Sequence, residues 1–171
     1  MSLTGKPPET EDRVIANDGF FPDVVLSEFL APYRIPAEYD NEAVITAVKL
    51  GIVEINTQVA AVKATKIVDG FTTLDACLDA QNEATIDGEY SLTVLYKKAV
   101  SSWAKAWLLQ QFNATNRRNT AAESDVPAVM NTTDYWLNQS KSACYGFLAA
   151  FGLQNSPTLA RDPDQAYVAL L

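Results

Sequence analysis

Asp87 and Glu89, set on either side of Gly88, are the closest approach in this chain to a carboxylate pair that could divide acid and base work. Their sequence context reads as the start of a helix, where the backbone dipole favours negative charge, so capping is the expected role. The chain contains no histidine. That one absence removes His-based triads, imidazole general bases and His-ligated zinc. Cys77 and Cys144 are its two thiols; far apart in the sequence and without metal-ligand spacing, they are expected to be reduced, small core residues rather than a disulfide. No glycine-rich phosphate loop and no nucleophile elbow occurs. The expectation is a protein that is not an enzyme, with no catalytic residues, no cofactor and no metal.

The charge balance narrows the partners. Thirteen basic residues against 21 acidic ones give a net charge of -8, the wrong sign for counterion-releasing contacts to a phosphate backbone. Arg117-Arg118 and Lys97-Lys98 are the basic pairs. A protein past which DNA must slide without adhering would also be acidic. At 171 residues with 48% hydrophobic content, one domain with a proper core is expected. No apolar run approaches the ~20 residues needed to span a bilayer, and Met1 to Pro8 lacks the apolar core of a signal peptide. A cytoplasmic protein with no membrane partner is therefore expected.

The elements that must position any site are helical. From Ile86 to Phe112, after the Asp87-Gly88 turn signal, Leu92, Leu95, Tyr96, Ala99, Trp103, Ala106 and Leu109 recur at three- and four-residue spacing, the stripe of an amphipathic helix. Its bulk places it at the centre of the domain, with Lys97, Lys98 and Lys105 on its wet face. Asp40 is a suitable N-cap, with Glu42 in the first turn, for a second helix striped by Val44, Val48, Ile52, Ile55, Val59 and Val62 and stopped by Asp69-Gly70. Gly51 costs roughly 1 kcal/mol in a helix interior; either the helix breaks there or another backbone comes close. A third helix spans about Asn131 to Phe151, with Thr133, Trp136, Leu137, Ser140, Cys144, Phe147, Leu148 and Phe151 on one face, Trp136 as a core anchor and Gly152 as its stop.

Shorter pieces connect these three. Pro22 is suited to the first turn of a short helix through Val24, Leu26, Phe29 and Leu30, with Asp23 near its positive end, and Pro32 and Pro36 close it. Phe20 and Phe21 read as an anchor for the preceding chain, or else as an intermolecular contact. A further short helix over Leu74 to Ala80 is possible. Residues 1–18 read as a flexible N-terminal arm, 19–152 as the helical domain and 153–171 as an extended tail. The polar stretch Asn113 to Val126 is a surface loop suited to recognition or a plain linker. The tail ends in Tyr167, Val168, Ala169, Leu170 and Leu171, an apolar run that suits docking on a partner or on the chain's own core. The fold class expected is all-α: a small bundle of three main helices plus short ones.

Several of these segments carry a likeness. Gly19-Phe20-Phe21-Pro22-Asp23, Val48 to Asn56, Gly70-Phe71-Thr72-Thr73-Leu74, Ile86-Asp87-Gly88-Glu89 followed by Tyr96 to Val100, and the later Tyr135-Trp136-Leu137 and Ser142-Ala143 resemble, in order and spacing, the head completion proteins of tailed phages, the GPL-type family. The likeness runs from about Phe20 to Leu153 and leaves arm and tail uncovered; the Arg-rich helices of some members are missing here. What the resemblance implies is a structural role: docking on the portal protein after DNA packaging, helping retain the genome, and preparing the head for the tail. Related head-to-tail adaptors form twelve-subunit rings, which would make copies of this chain, the portal, and tail or tail-terminator proteins its partners. Packaged DNA would pass through the lumen without sequence-specific binding. The implied location is the virion neck, with the host cytoplasm as the place of assembly. Arg117 and Arg118 in the loop and Tyr167, Leu170 and Leu171 in the tail are the candidate partner-binding residues. The competing reading is a cytoplasmic helical adaptor or regulator with a single protein partner.

Overall fold

A computed structural model describes residues 13–37, 39–116 and 132–153. The chain enters through β1 (Val14–Ile15), which pairs antiparallel with β2 (Val24–Val25), Val14 opposite Val25 and Ile15 opposite Val24. Helices α1 (Leu26–Leu30), α2 (Asn41–Gln58), α3 (Ala60–Val68) and α4 (Leu74–Ala80) follow. A hairpin of β3 (Thr85–Ile86) and β4 (Glu89–Tyr90) then leads into α5 (Ser91–Asn116), and α6 (Thr133–Ala150) completes the described fold. The expected all-helical class holds: six helices, with strands confined to two-residue pairs, among the described residues.

α5 is the axis of the bundle, with α2 packed on one side and α6 on the other. Two neighbours explain why its burial is wider than one stripe. Of the expected stripe, Leu92, Tyr96, Ala99 and Ala106 are buried and Leu95, Trp103 and Leu109 half-buried, but Thr93, Val100, Ser101, Ser102, Ala104, Lys105 and Leu108 are buried as well. Lys105 is thus corrected from the wet face to the interior; Lys98 stays exposed. A run rich in Ala and Ser lets two helices approach α5 from different sides. On α2, all six positions of the expected stripe, Val44 through Val62, are buried, the last on α3.

Gly51 marks the closest approach. α2 runs through it unbroken, and a Cβ at that position would lie 2.9 Å from the Val100 carbonyl oxygen of α5. Backbone contact is therefore its reason. The break comes at Val59, where α2 gives way to α3 at 61°. No single helix among the described residues is long and apolar enough to cross a membrane; α2 and α3 together pass that test but are bent, and the α2 stripe is spent on the core.

Capping follows the side chains. Asp40 accepts from the Ala43 N–H at 3.3 Å, Thr73 from Ala76 at 3.2 Å, and Thr132 from Tyr135 at 3.1 Å, each relieving an otherwise orphan donor. Gly152 ends α6 as expected, with the Leu153 N–H returning to Leu148 O at 2.9 Å.

Three expectations at the element ends are corrected. Asp87 and Glu89 do not cap α5. Asp87 (φ 53°) and Gly88 (φ 81°) are the two centre residues of the β3–β4 turn, the backbone that Asp-Gly favours in a two-residue hairpin loop, and the helix starts at Ser91. Pro22 and Asp23 do not begin a helix, because Val24 and Val25 are drawn into pairing with β1. The arm does not extend to Asp18. Arg13 O accepts from the Leu26 N–H at 2.9 Å, and Ile15 is buried, so residues 13–18 belong to the folded unit; residues 1–12 lie outside the described residues.

Candidate functional site

Phe20 and Phe21 are both buried, as the anchor reading requires. Phe21 stacks on Tyr96 of α5 (ring centroids 5.0 Å apart, planes within 4°) and meets Phe147 of α6 edge-on at 6.3 Å. The Leu74 N–H, opening α4, donates to Phe20 O at 2.8 Å. Around this ring cluster lies a polar knot. The Asn17 amide donates to the Tyr96 hydroxyl at 2.8 Å and to Pro22 O at 2.9 Å, Tyr96 donates to Asn56 of α2, and the Asn56 amide returns to Asn17 Oδ1 at 2.8 Å. Burial pushes the Tyr96 phenol well above its ordinary value, so it stays a neutral donor.

Asp18 closes the knot. Its carboxylate accepts from the Phe20 and Phe21 N–H groups at 3.0 and 3.1 Å and from Lys63 at 2.7 Å. Partial burial would raise its pKa, but the bonds from Lys63, Phe21 and Phe20 outweigh that and hold it below the ordinary value. A lowered carboxylate pKa stabilises the fold above its unfolded-state value, about 3.9, and the stabilisation disappears as pH falls through the lower folded-state value. Asp18→Asn is thus expected to cost about 1 kcal/mol at pH 7. The gap between urea melts of the two chains should begin to narrow as pH falls below about 3.9 and close beneath the lowered folded-state value; a gap unchanged in acid would remove the ionised carboxylate from the account.

On α5 next to Tyr96, Lys97 bridges Glu28 of α1 at 2.9 Å and Glu89 of β4 at 2.7 Å. Partial burial opposes its charge, but the bonds to Glu89 and Glu28 prevail and raise its pKa. Glu89 is therefore held by an ion pair. Beside it, Asp75, Asp79 and Glu83 accept from Thr93, Tyr90 and Ser91. Asp75, Asp79 and Asp87 are exposed, and none of these four acids has an ion-pair partner among the described residues.

No cluster of three or more possible metal ligands occurs among the described residues. Cys77 and Cys144 are fully buried free thiols; burial raises both, Cys144 to about 12 with a further push from Glu54. They are inert core residues, as expected. What the surface offers is apolar area on outward helix faces: Leu50 and Val53 (63% exposed) on α2, Ile67 and Val68 (86% exposed) at the end of α3, and Tyr145 on α6. These suit protein contact rather than chemistry. The candidates Arg117, Arg118, Tyr167, Leu170 and Leu171 lie outside the described residues. Sequence reading did not single out Asn17, Asn56 or the Tyr96 hydroxyl; a buried-stripe tyrosine, which needs a partner for its O–H, was the available signal.

The model of the phage head completion protein (GPL) family matches residues 15–144, which runs from β1 into α6. The "Probable head completion/stabilization protein" of Haemophilus phage HP1 (strain HP1c1) is 31% identical over 127 residues, covering 72% of this chain and 79% of the relative. The "Head completion/stabilization protein" of Escherichia phage P2 is 29% identical over 109 residues, covering 64% of this chain and 62% of the relative. No solved structure matches.

Proposed function

The chain belongs to the phage head completion protein (GPL) family, and from that membership we propose that it is a structural component of the virion that completes and stabilises the DNA-filled head. In this reading it docks on the portal vertex after packaging, helps keep the genome inside, and presents a surface to the tail or its terminator. Copies assemble around the vertex as a twelve-membered ring, made in the host cytoplasm and carried in the virion neck. The observation that carries the reading is the extent of the match: residues 15–144 take in nearly all of the bundle, from Ile15 through α2 and α5 and into α6. Exposed Leu50, Val53 and Tyr145 on outward faces suit subunit contacts. The net charge of -8 suits a lumen that repels the DNA backbone and lets it slide.

Arg117 and Arg118 in the loop and Tyr167, Leu170 and Leu171 in the tail are proposed to grip neighbouring subunits or the portal, an extended apolar segment adding to a partner's groove or sheet edge. The test is attachment. Filled heads lacking this protein should take up the wild-type chain at one copy per portal subunit. Leu170→Asp with Leu171→Asp should lower that uptake at least tenfold with helicity by circular dichroism unchanged. Normal uptake by the double variant would remove the tail from the proposal. A wild-type chain that ignores heads and forms a 1:1 complex with a soluble protein would favour an adaptor or regulator instead.

A further inference from the structure

The segment made of β1, β2 and α1 (residues 13–30) is tied within itself by the strand pairing and by the Leu26 N–H to Arg13 O bond. Its further bonds cross the connection that follows it. Asn17 meets Asn56 and Tyr96, Asp18 meets Lys63, Phe20 O meets the Leu74 N–H, and Glu28 meets Lys97. Phe21 lies on the rings of Tyr96 and Phe147. Ile15, Phe20, Phe21, Val24, Leu26 and Phe29 are buried, so the segment cannot leave its seat without exposing much apolar surface.

The connection from α1 to α2 is built differently. Ala31 is helical (φ -74°, ψ -52°) directly before Pro32, a backbone that a following proline disfavours. Arg34 stands at φ 49°, its N–H bonded to Ala31 O at 3.1 Å and the Ile35 N–H to Leu30 O at 3.0 Å. In this helix-ending turn the left-handed residue is ordinarily glycine. Both strains disappear when the connection is extended. Ala31, Pro32, Arg34, Pro36 and Ala37 are exposed, and the bond from Lys105 to Arg34 O is long at 3.4 Å. Drawn out, the chain from Leu30 to Asn41 reaches about 33 Å.

We propose that assembled copies exchange this segment: residues 13–30 of one copy occupy, in a second copy, the seat formed by α2 to α6. The seat's Tyr96, Asn56 and Lys63 are matched by the Phe21 ring, the Asn17 amide and the Asp18 carboxylate, so the occupant that fits is the same segment of another copy. Exchange keeps each of these bonds and relieves the connection, which is why strained hinges favour swapping. In an isolated chain the tethered segment holds its own seat. Copies crowded round one vertex bring the neighbour's segment to a comparable effective concentration, and the strain then tips the balance.

The inference rests on the multi-copy assembly proposed above, and the test separates the two. Asp18 and Lys63 touch at 2.7 Å, so a zero-length carbodiimide can join them as an amide and record which copy each comes from. On filled heads loaded with an equal mixture of 15N-labelled and unlabelled full chain, the linked peptides should include pairs of one labelled and one unlabelled partner. The same mixture free in solution should give only pairs of one isotope. Pairs of one isotope only, from heads carrying several copies, would overturn the exchange and leave the ring reading standing. Charge reversal decides independently of the link. Asp18→Lys and Lys63→Asp should each weaken multi-copy binding at least tenfold, and an equal mixture of the two should restore it, because each segment then meets an opposite charge in its neighbour's seat. Full binding by either variant alone, or no rescue in the mixture, would overturn the proposal. Wild-type chain bound to heads in single copies would overturn the ring reading and the exchange together.

Discussion

A chain carrying Gly51→Val is expected to lose its cooperative unfolding transition, and Gly51→Ala to lose about 1–3 kcal/mol of stability in urea melts, the range of an overpacked core. The argument turns on which atom the new side chain meets. A Cβ at residue 51 would sit 2.9 Å from the Val100 carbonyl oxygen and 3.4 Å from Val100 Cγ1. The oxygen is backbone inside α5 and cannot swing aside, so α2 and α5 must separate and loosen every contact between them. Helix propensity pulls the other way, since Ala exceeds Gly by roughly 1 kcal/mol in a helix interior. The contact outweighs it because the approach is too short for any relaxed side chain. Valine adds two methyl groups at the same point, beside Trp103 at 3.6 Å. A Gly51→Ala chain as stable as wild type, or more so, would show that the two helices are not in backbone contact.

Gly51 also shows how far sequence could go. A glycine in a valine- and isoleucine-rich helix signals either a break or a close neighbour, and periodicity cannot choose between them because it describes one helix at a time. The stripes were legible for that reason: Val44, Val48, Ile52, Ile55, Val59 and Val62 are all buried as spacing requires. Lys105 was not legible. Its charge places it outside in any rule based on residue type, and only the presence of neighbours on two sides of α5 brings it in. Asp87-Gly88 was legible as a turn, whereas its hairpin depends on Glu89 and Tyr90 finding Thr85 and Ile86 as partners. The knot of Asn17, Asn56 and Tyr96 joins residues from three separate elements, a pairing that no local pattern encodes.

That knot and the rings beneath it carry the second large effect. Phe21→Ala is expected to cost about 3–5 kcal/mol, the range for truncating a buried phenylalanine, because Phe21 touches Phe20, Tyr96 and Phe147 at once, with centroids 5.0, 5.0 and 6.3 Å away. Tyr96→Phe keeps the ring stack but strips the hydroxyl from Asn17 and Asn56, at about 1–3 kcal/mol. The two losses share one site, so a double-mutant cycle should show coupling of roughly 0.5 kcal/mol or more rather than simple addition. Their consequences also differ in place. Phe21 fastens residues 13–30 to the α5–α6 pair, so its truncation should speed hydrogen exchange first at the Leu26 and Leu74 N–H groups, which are bonded to Arg13 O and Phe20 O, while amides in the middle of α5 stay protected. Uniformly faster exchange would mean that the segment is integral to the core and does not open as a separate clamp. Selective exchange would identify the β1–α1 segment as the part of the bundle that can be released without unfolding the rest, and therefore as the part able to rearrange when the protein meets the head.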